Sequence, residues 1–365
     1  MARKIIVSLV SDQTIPNIEL INEFKEEVDG LLFITTKAME QKGNRDWIVK
    51  VTSDKTIEVL DPIVVNPFSF EDIEEQLSEV INDKDYYIVN LTGGTKVMSL
   101  AAHDFFKTVN AEMYYLTGRS QYIKVHPGRS KPVIELETKI SLKDYMMGYG
   151  FEINEESVPL KDYKMSQRML EYFLNDFDKS KDVEILNYIR SRRSRSTTIN
   201  SVDGLKSLLD RIGFKEETSG RLTKYENRYL SGDWLEEYLY FFLKEHLKVE
   251  DDEIGLGWKV TKNESPNEFD VLVMRDNKLY LFECKTSIYI DYEERQTFIT
   301  ETIYKSDSLR NKLGLFAQTI VFTLSDLTKP KLKDHLDRAN ASRVILLGKN
   351  DVENKEVLIE KLRKI

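Results

Sequence analysis

Two alternating apolar runs flank Asp276-Asn277, and this arrangement restricts the fold more tightly than any other feature of the chain. The segment reads Asn267-Glu-Phe-Asp-Val-Leu-Val-Met-Arg-Asp-Asn-Lys-Leu-Tyr-Leu-Phe-Glu-Cys-Lys285. Asp and Asn both tolerate positive φ, so the pair suits the two central positions of a tight hairpin turn. That turn dictates the register: Arg275 meets Lys278, Val273 meets Tyr280, Val271 meets Phe282, and Asp270 falls opposite Glu283, with Glu268 opposite Lys285. Side chains alternate along a strand. Asp270, Leu272, Leu281, Glu283 and Lys285 are therefore expected on one face, and Phe269, Val271, Val273, Tyr280, Phe282 and Cys284 on the other. Directly opposed side chains lie about 5 Å apart at Cβ. Two ionised carboxylates at that separation repel by roughly 3 kcal/mol at an effective dielectric near 20. A divalent cation between Asp270 and Glu283 turns the repulsion into attraction, and hard oxygen donors suit Mg²⁺ or Mn²⁺. Lys285, two residues on, can reach an attacking water or a phosphate. Phosphodiester hydrolysis needs a nucleophilic water and charge relief on the phosphoryl oxygens.

A third acid comes from Leu235-Glu-Glu-Tyr-Leu-Tyr-Phe-Phe-Leu-Lys-Glu-His-Leu247. At helical spacing Leu235, Leu239, Phe242, Leu243 and Leu247 form one apolar arc. Glu236 projects within that arc, while Glu237 is expected on the polar side with Lys244. An acid on an apolar face is costly unless paired or bound to metal, so Glu236 is the better candidate for the site.

The first part of the chain alternates strands and helices. Lys4–Val10, Leu31–Thr35, Ile57–Val65, Tyr86–Leu91 and Ala111–Leu116 read as strands. Pro16–Val28, Ser69–Ile81 and about Thr95–Thr108 read as helices, with Tyr122 to about Leu142 as an antiparallel addition. The rhythm predicts an α/β fold with an open, mainly parallel sheet. Tyr86-Tyr-Ile-Val-Asn-Leu-Thr-Gly-Gly-Thr-Lys-Val-Met runs from a strand through a Gly-rich turn into a helix. Backbone N–H groups and a helix N-terminus bind phosphate in that geometry. The spacing is not that of a P-loop, and Gly93-Gly94 also serves a plain tight turn. A polar turn, Ser11-Asp-Gln-Thr14, ends the first strand, and ligands of such sheets settle beyond the strands' carboxyl ends.

The intervening residues, 146–229, read as a helical connector or small middle domain. Between Lys161 and Arg228 the chain has fifteen Lys and Arg against eleven Asp and Glu, although its net charge is −9. The run Arg190-Ser-Arg-Arg-Ser-Arg195 is either a solvated surface or a nucleic-acid-facing element. The length of 365 residues calls for two or three domains. A single cysteine, Cys284, permits no internal disulfide and fits a reducing cytoplasm. The four histidines are too scattered for zinc. No apolar run is long enough to cross a bilayer.

Taken in order, Gly232-Asp-Trp-Leu-Glu236, Asn267-Glu-Phe-Asp270 and Glu283-Cys-Lys285 resemble the PD-(D/E)xK nuclease superfamily, in particular its branch in CRISPR ancillary nucleases. The resemblance implies that Glu236, Asp270 and Glu283 bind metal, Mn²⁺ or Mg²⁺, and that Lys285 is catalytic. It places Tyr304-Lys305 and Leu309-Arg310 near the substrate, with Gly314-Leu315 where a paired glycine is expected. Thr92-Gly-Gly-Thr-Lys96 on its sheet resembles the CARF domain, which senses cyclic oligoadenylates in type III CRISPR immunity. That resemblance implies a homodimer holding the ring, four adenylates by the same likeness, across its two-fold axis. Ser11, Gln13 and Thr14 from the first turn, and Thr92, Gly93, Gly94, Thr95 and Lys96 from the second, would contact the effector. The expected organisation is a Rossmann-like CARF domain over 1–145, the connector over 146–229, and a restriction-endonuclease-like α/β/α nuclease domain over 230–365. The expected function is effector-gated, metal-dependent cleavage of DNA or RNA. Two alternatives stay open: a phosphodiesterase that opens the cyclic ligand, and a sensor without catalysis.

Overall fold

The computed structural model describes residues 2–53, 57–118, 120–128, 133–286, 301, 312–328 and 333–364. Its first sheet is built on Lys4–Leu9, flanked in parallel by Gly30–Thr35 and Tyr86–Asn90. Ala111–Leu116 continues the parallel order beyond Tyr86–Asn90. Gln121–His126 and Ile134–Glu135 then add antiparallel, as the alternation after Tyr122 predicts. The single strand expected over Ile57–Val65 is instead two short ones, Glu58–Val59 and Ile63–Val64, both against Gly30–Thr35. Asp61-Pro62 separates them, and proline has no N–H to continue a ladder.

Strands buried on both faces carry continuous apolar runs, and alternate residues here enter different cores. Ile5, Val7 and Leu9 pack with Met98, Ala102 and Phe106. Ile6, Leu31, Phe33 and Ile88 pack with Ile18 and Ile21 on the opposite face. The helices Ile15–Phe24 and Lys96–Phe106 supply those partners, and helix Phe70–Val80 adds Ile73 and Leu77 to the first core. Helices Phe70–Val80 and Lys96–Phe106 begin at side-chain caps, Ser69 and Thr95, each accepting the N–H three residues on.

The second sheet orders its strands Ile345–Leu347, Gln318–Thr323, Lys278–Lys285, Ser265–Arg275, Ile254–Lys262 and Glu152–Glu155. Its outer strand, Glu152–Glu155, comes from the stretch expected to be connector. Asp276 and Asn277 have φ of 50° and 55°, the conformation the hairpin turn requires. The register is the predicted one from Val271–Phe282 to Arg275–Lys278.

Both faces of this hairpin are covered. Val271, Val273, Tyr280, Phe282 and Cys284 pack with Trp234, Leu235, Leu239 and Phe242. Leu272, Met274, Leu279 and Leu281 join Tyr145, Tyr149 and Ile18 in a core continuous with that of the first sheet. Phe269 lies with this second group rather than with Val271. Pairing with the neighbouring strand runs from 254–256 against 271–273 and from 258–262 against 265–269. Gly257 and Asp270 fall between those stretches, and Gly257 has φ of +57°. The turnover at Gly257 exchanges faces, so Trp258 and Phe269 leave the side occupied by Leu256 and Val271.

The region expected as a connector is largely helical and shares the nuclease-side core. Tyr163–Glu171, Lys179–Ser191 and Leu205–Ile212 contribute Met169, Leu186, Ile189 and Leu208 to it. Phe173 stacks on Trp234 at 5.0 Å and 7°. Among the described residues no helix is long and apolar enough to cross a membrane.

Candidate active site and effector cavity

The predicted nuclease residues converge where the hairpin strands end. Beyond Val271–Phe282, the Asp270 carboxylate takes the next contact: its Oδ2 accepts the Cys284 N–H at 2.7 Å. Lys285 Nζ stands 3.4 Å from Asp270 Oδ2 and 2.7 Å from Glu283 Oε1. The expected gap between the two acids is thus bridged by an ammonium group. Burial alone lowers the Lys285 pKa, but Asp270 and Glu283 outweigh it and hold the group above the usual lysine range. Lys285 therefore stays protonated at neutral pH.

Glu236 belongs to the same cluster. It lies in the first turn of helix Trp234–Leu247. Burial, then the charges of Asp270 and Asp233, push its carboxyl well above the carboxylate range, with Lys285 acting in the opposite sense. Burial likewise pushes the Cys284 thiol up, which makes it a poor nucleophile. Glu237 is not on a polar face: it is 5 % exposed, and its two oxygens accept the N–H groups of Leu160 and Lys161 at 2.7 and 3.1 Å. Helix Tyr163–Glu171 packs along helix Trp234–Leu247 and encloses the side that helical spacing alone leaves in water. The Glu237 pKa is pushed up to about 7, by burial first.

Among the described residues no three His, Cys, Asp or Glu are gathered closely enough to hold a metal ion. The donor chemistry nevertheless fits a hard divalent cation, since Glu236, Asp270 and Glu283 offer only carboxylate oxygens. A cation would also offset the burial and the neighbouring acid charges that push the Glu236 carboxyl up. Tyr304, Lys305, Leu309 and Arg310, expected near the substrate, lie outside the described residues.

A cavity of about 670 Å³ opens at the carboxyl ends of the first sheet's strands. Ser11, Gln13, Thr92, Gly94 and Thr95, named above as effector contacts by resemblance, line it. Thr14, Gly93 and Lys96 are not among its lining residues. Thr14 is fully buried, its hydroxyl donating to the Gly148 carbonyl at 2.6 Å. Gly93 is pressed against the first strand, where an added Cβ would sit 1.9 Å from the Leu9 carbonyl oxygen. Lys96 is exposed at the start of its helix. Asn90 sets the two turns relative to each other, donating to the Pro16 carbonyl and to Asn17 Oδ1, each at 3.0 Å.

Sequence reasoning missed most of the cavity wall. Thr36 and Phe68 come from loops of the first domain, Met39 from helix Lys37–Lys42 and Tyr115 from strand Ala111–Leu116, and Asp276, Asn277, Lys278, Leu315 and Phe316 from the nuclease side. The hairpin tip is anchored on the first domain. Asn277 Oδ1 accepts the Ile140 N–H at 2.9 Å, its Nδ2 donates to the Thr138 carbonyl at 3.3 Å, and the Ser120 hydroxyl donates to the Asp276 carbonyl. Gln13 Oε1 accepts from both the Tyr149 hydroxyl and the Leu315 N–H at 3.1 Å. Exposed polar turns signal such anchoring only once their partner is known.

Known proteins match both halves. Residues 5–145 match the Card1 CARF domain family, and residues 223–365 the Card1-like endonuclease domain family. The chain is therefore a CARF domain fused to an endonuclease domain, with an α/β sheet of Rossmann-like type in front. More narrowly, it belongs with the Card1-type CARF nucleases. No curated protein matches the chain. Among solved structures, Can2 from Sulfobacillus thermosulfidooxidans, in complex with cyclic tetra-adenylate, is 22 % identical, with a TM-score of 0.74 over 98 % of both chains. Protein VC1899 from Vibrio cholerae is 19 % identical, with a TM-score of 0.78 over 99 % of this chain and 98 % of its own. A type III CRISPR defence DNA nuclease activated by cyclic oligoadenylate is 18 % identical, with a TM-score of 0.55 over 89 % of this chain and 46 % of its own. At these identities the likeness is one of fold.

Proposed function

We propose that this chain is a metal-dependent endonuclease of DNA or RNA, gated by cyclic oligoadenylate and working as a homodimer in the cytoplasm. The convergence of Glu236, Asp270, Glu283 and Lys285 at one end of the hairpin carries the nuclease reading. Cyclic tetra-adenylate is the proposed activator, because Can2 of the same fold is complexed with it and the cavity lies at the CARF turns.

Glu236, Asp270 and Glu283 would hold the divalent ion, which supplies an activated water and electrophilic relief at the phosphoryl group. Lys285, kept charged by its two acidic neighbours, neutralises the phosphoryl oxygens as negative charge builds on them. The Cys284 N–H orients the Asp270 carboxylate, and Glu283 orients the Lys285 ammonium.

Gating follows from where the hairpin lies. Its turn, Asp276-Asn277, forms part of the cavity wall, while Asp270 and Glu283 stand at its other end, roughly 20 Å away at about 3.4 Å per residue. A ligand that fits one arrangement of the wall better than another shifts the hairpin, and that differential affinity is the coupling.

Glu283→Ala tests the site. The expected outcome is loss of cleavage by at least ~100-fold with effector affinity unchanged. Undiminished metal-dependent cleavage by this variant would remove the assignment.

A further inference from the structure

The basic run that the sequence leaves between two readings is tied by side chains to the reaction centre. Helix Lys179–Ser191 ends in it. Arg193 Nε donates to Ser231 Oγ at 3.0 Å, and its Nη2 donates to Asp233 Oδ1. Arg228 Nε grips the other oxygen, Asp233 Oδ2, at 2.9 Å. Asp233 immediately precedes helix Trp234–Leu247, three positions before Glu236. Residues three apart on a helix have Cβ atoms about 5–6 Å apart. Two guanidinium groups thus flank the acid one turn from Glu236. Arg228 Nη2 also stands 3.9 Å from Glu268 Oε1, and Arg228 lies within the field of Glu236 itself.

The rest of the run is held in place. Asn227 Nδ2 donates to the carbonyls of Arg192 and Arg195, at 3.2 and 2.8 Å, and to Thr197 Oγ1 at 2.9 Å. Arg192 lies 5.4 Å from the centre of the Tyr188 ring and donates to its hydroxyl at 3.1 Å. Arg190 and Arg195 are exposed. A merely solvated loop would need no such pinning of its backbone. A chain of net charge −9 has to meet a polyanion through a local cationic surface, and guanidinium forks match phosphate oxygens bidentately.

We propose that Arg190, Arg192 and Arg195 form the track that receives the sugar-phosphate backbone of the substrate strand and leads it to Glu236, Asp270, Glu283 and Lys285. Arg193 and Arg228 act as positioning residues: they neutralise Asp233 and fix the track against the helix that carries Glu236. The Tyr188 ring, already stacked by Arg192, offers an adjoining platform for a base. The track rests on the nuclease reading, and recognises the phosphodiester backbone shared by DNA and RNA.

The test uses the full chain with the triple substitution R190A/R192A/R195A and cyclic tetra-adenylate. Fluorescence anisotropy with labelled single-stranded DNA and with RNA of the same sequence, in EDTA over a range of salt, reads binding. Steady-state cleavage with Mn²⁺ reads catalysis. The expected result is about tenfold weaker binding of the cleaved polymer, with a salt slope lower by about two for three lost single-strand phosphate contacts. KM rises while kcat stays within about twofold, since no removed group touches the reacting atoms. Thermal midpoint and cyclic tetra-adenylate affinity stay as in the wild type. Unchanged affinity and salt slope for both polymers, with the wild type binding normally, would overturn the track alone. A wild-type protein that neither binds nor cuts either polymer would overturn the nuclease reading, and the track with it.

Discussion

Replacing Glu19 with Gln should make the protein clearly more stable at pH 8 and only slightly more stable at pH 5. Glu19 lies in helix Ile15–Phe24 and is 7 % exposed. Burial raises its pKa from 4.5 to about 7, against a smaller opposing effect from a hydrogen bond with Asn277 of the hairpin tip. The folded state therefore keeps a proton that the unfolded chain releases near pH 4.5. Between about pH 4.5 and 7 the folded form binds more protons, so stability falls as pH rises through that window. The accumulated loss by pH 8 is on the order of 3 kcal/mol, taking about 1.4 kcal/mol for each tenfold change in proton affinity. Gln has the same shape, stays neutral and can still bond Asn277. For domains of this size the difference corresponds to a midpoint shift on the order of 5–10 °C. Scanning calorimetry of both proteins at pH 5, 6, 7 and 8 reads it directly. A Gln variant whose advantage is the same at pH 5 and pH 8, or is missing at pH 8, would refute the argument that a buried carboxyl at position 19 resists ionisation.

Other perturbations probe the cavity and its link to the nuclease. Gly93→Ala forces a Cβ onto the Leu9 carbonyl oxygen. It should cost about 1–3 kcal/mol in thermal stability and weaken cyclic tetra-adenylate binding measured by calorimetry. Asn277→Gly keeps the positive φ but deletes the bonds to Ile140 and Thr138. The ratio of cleavage rates with and without effector should fall by about 2- to 30-fold, with unchanged basal cleavage. Lys96→Ala should weaken effector binding and leave the midpoint unchanged; equal affinity in a titration would remove Lys96 from the effector site.

Much of the fold was legible because its signals are local. Asp276-Asn277 and the alternation around it define turn and register without reference to the rest of the chain. Ser69 and Thr95 announce their helices for the same reason, as capping depends on three residues. The misreadings share one physical origin, contacts between distant segments. Glu237 looks solvated until the N–H groups of Leu160 and Lys161 reach it from 77 and 76 positions away. Thr14 looks like a ligand contact until Gly148 takes its hydroxyl. Phe269 changes sides because Gly257, in a neighbouring strand, turns over opposite Asp270. The residues proposed as the reaction centre could be named from the sequence, whereas the ammonium bridge between Asp270 and Glu283 needed coordinates. Neither Leu315 nor Phe316 carries any sequence mark of lining a cavity in another domain.

Cleavage of a labelled single strand by the wild-type protein, in four mixtures with and without cyclic tetra-adenylate and with Mn²⁺ or EDTA, tests the central claim most directly. Rapid product formation in the one mixture that contains both is the result predicted by an effector-gated, carboxylate-held metal centre. Product at the same rate without the cyclic nucleotide, or in EDTA, would contradict it.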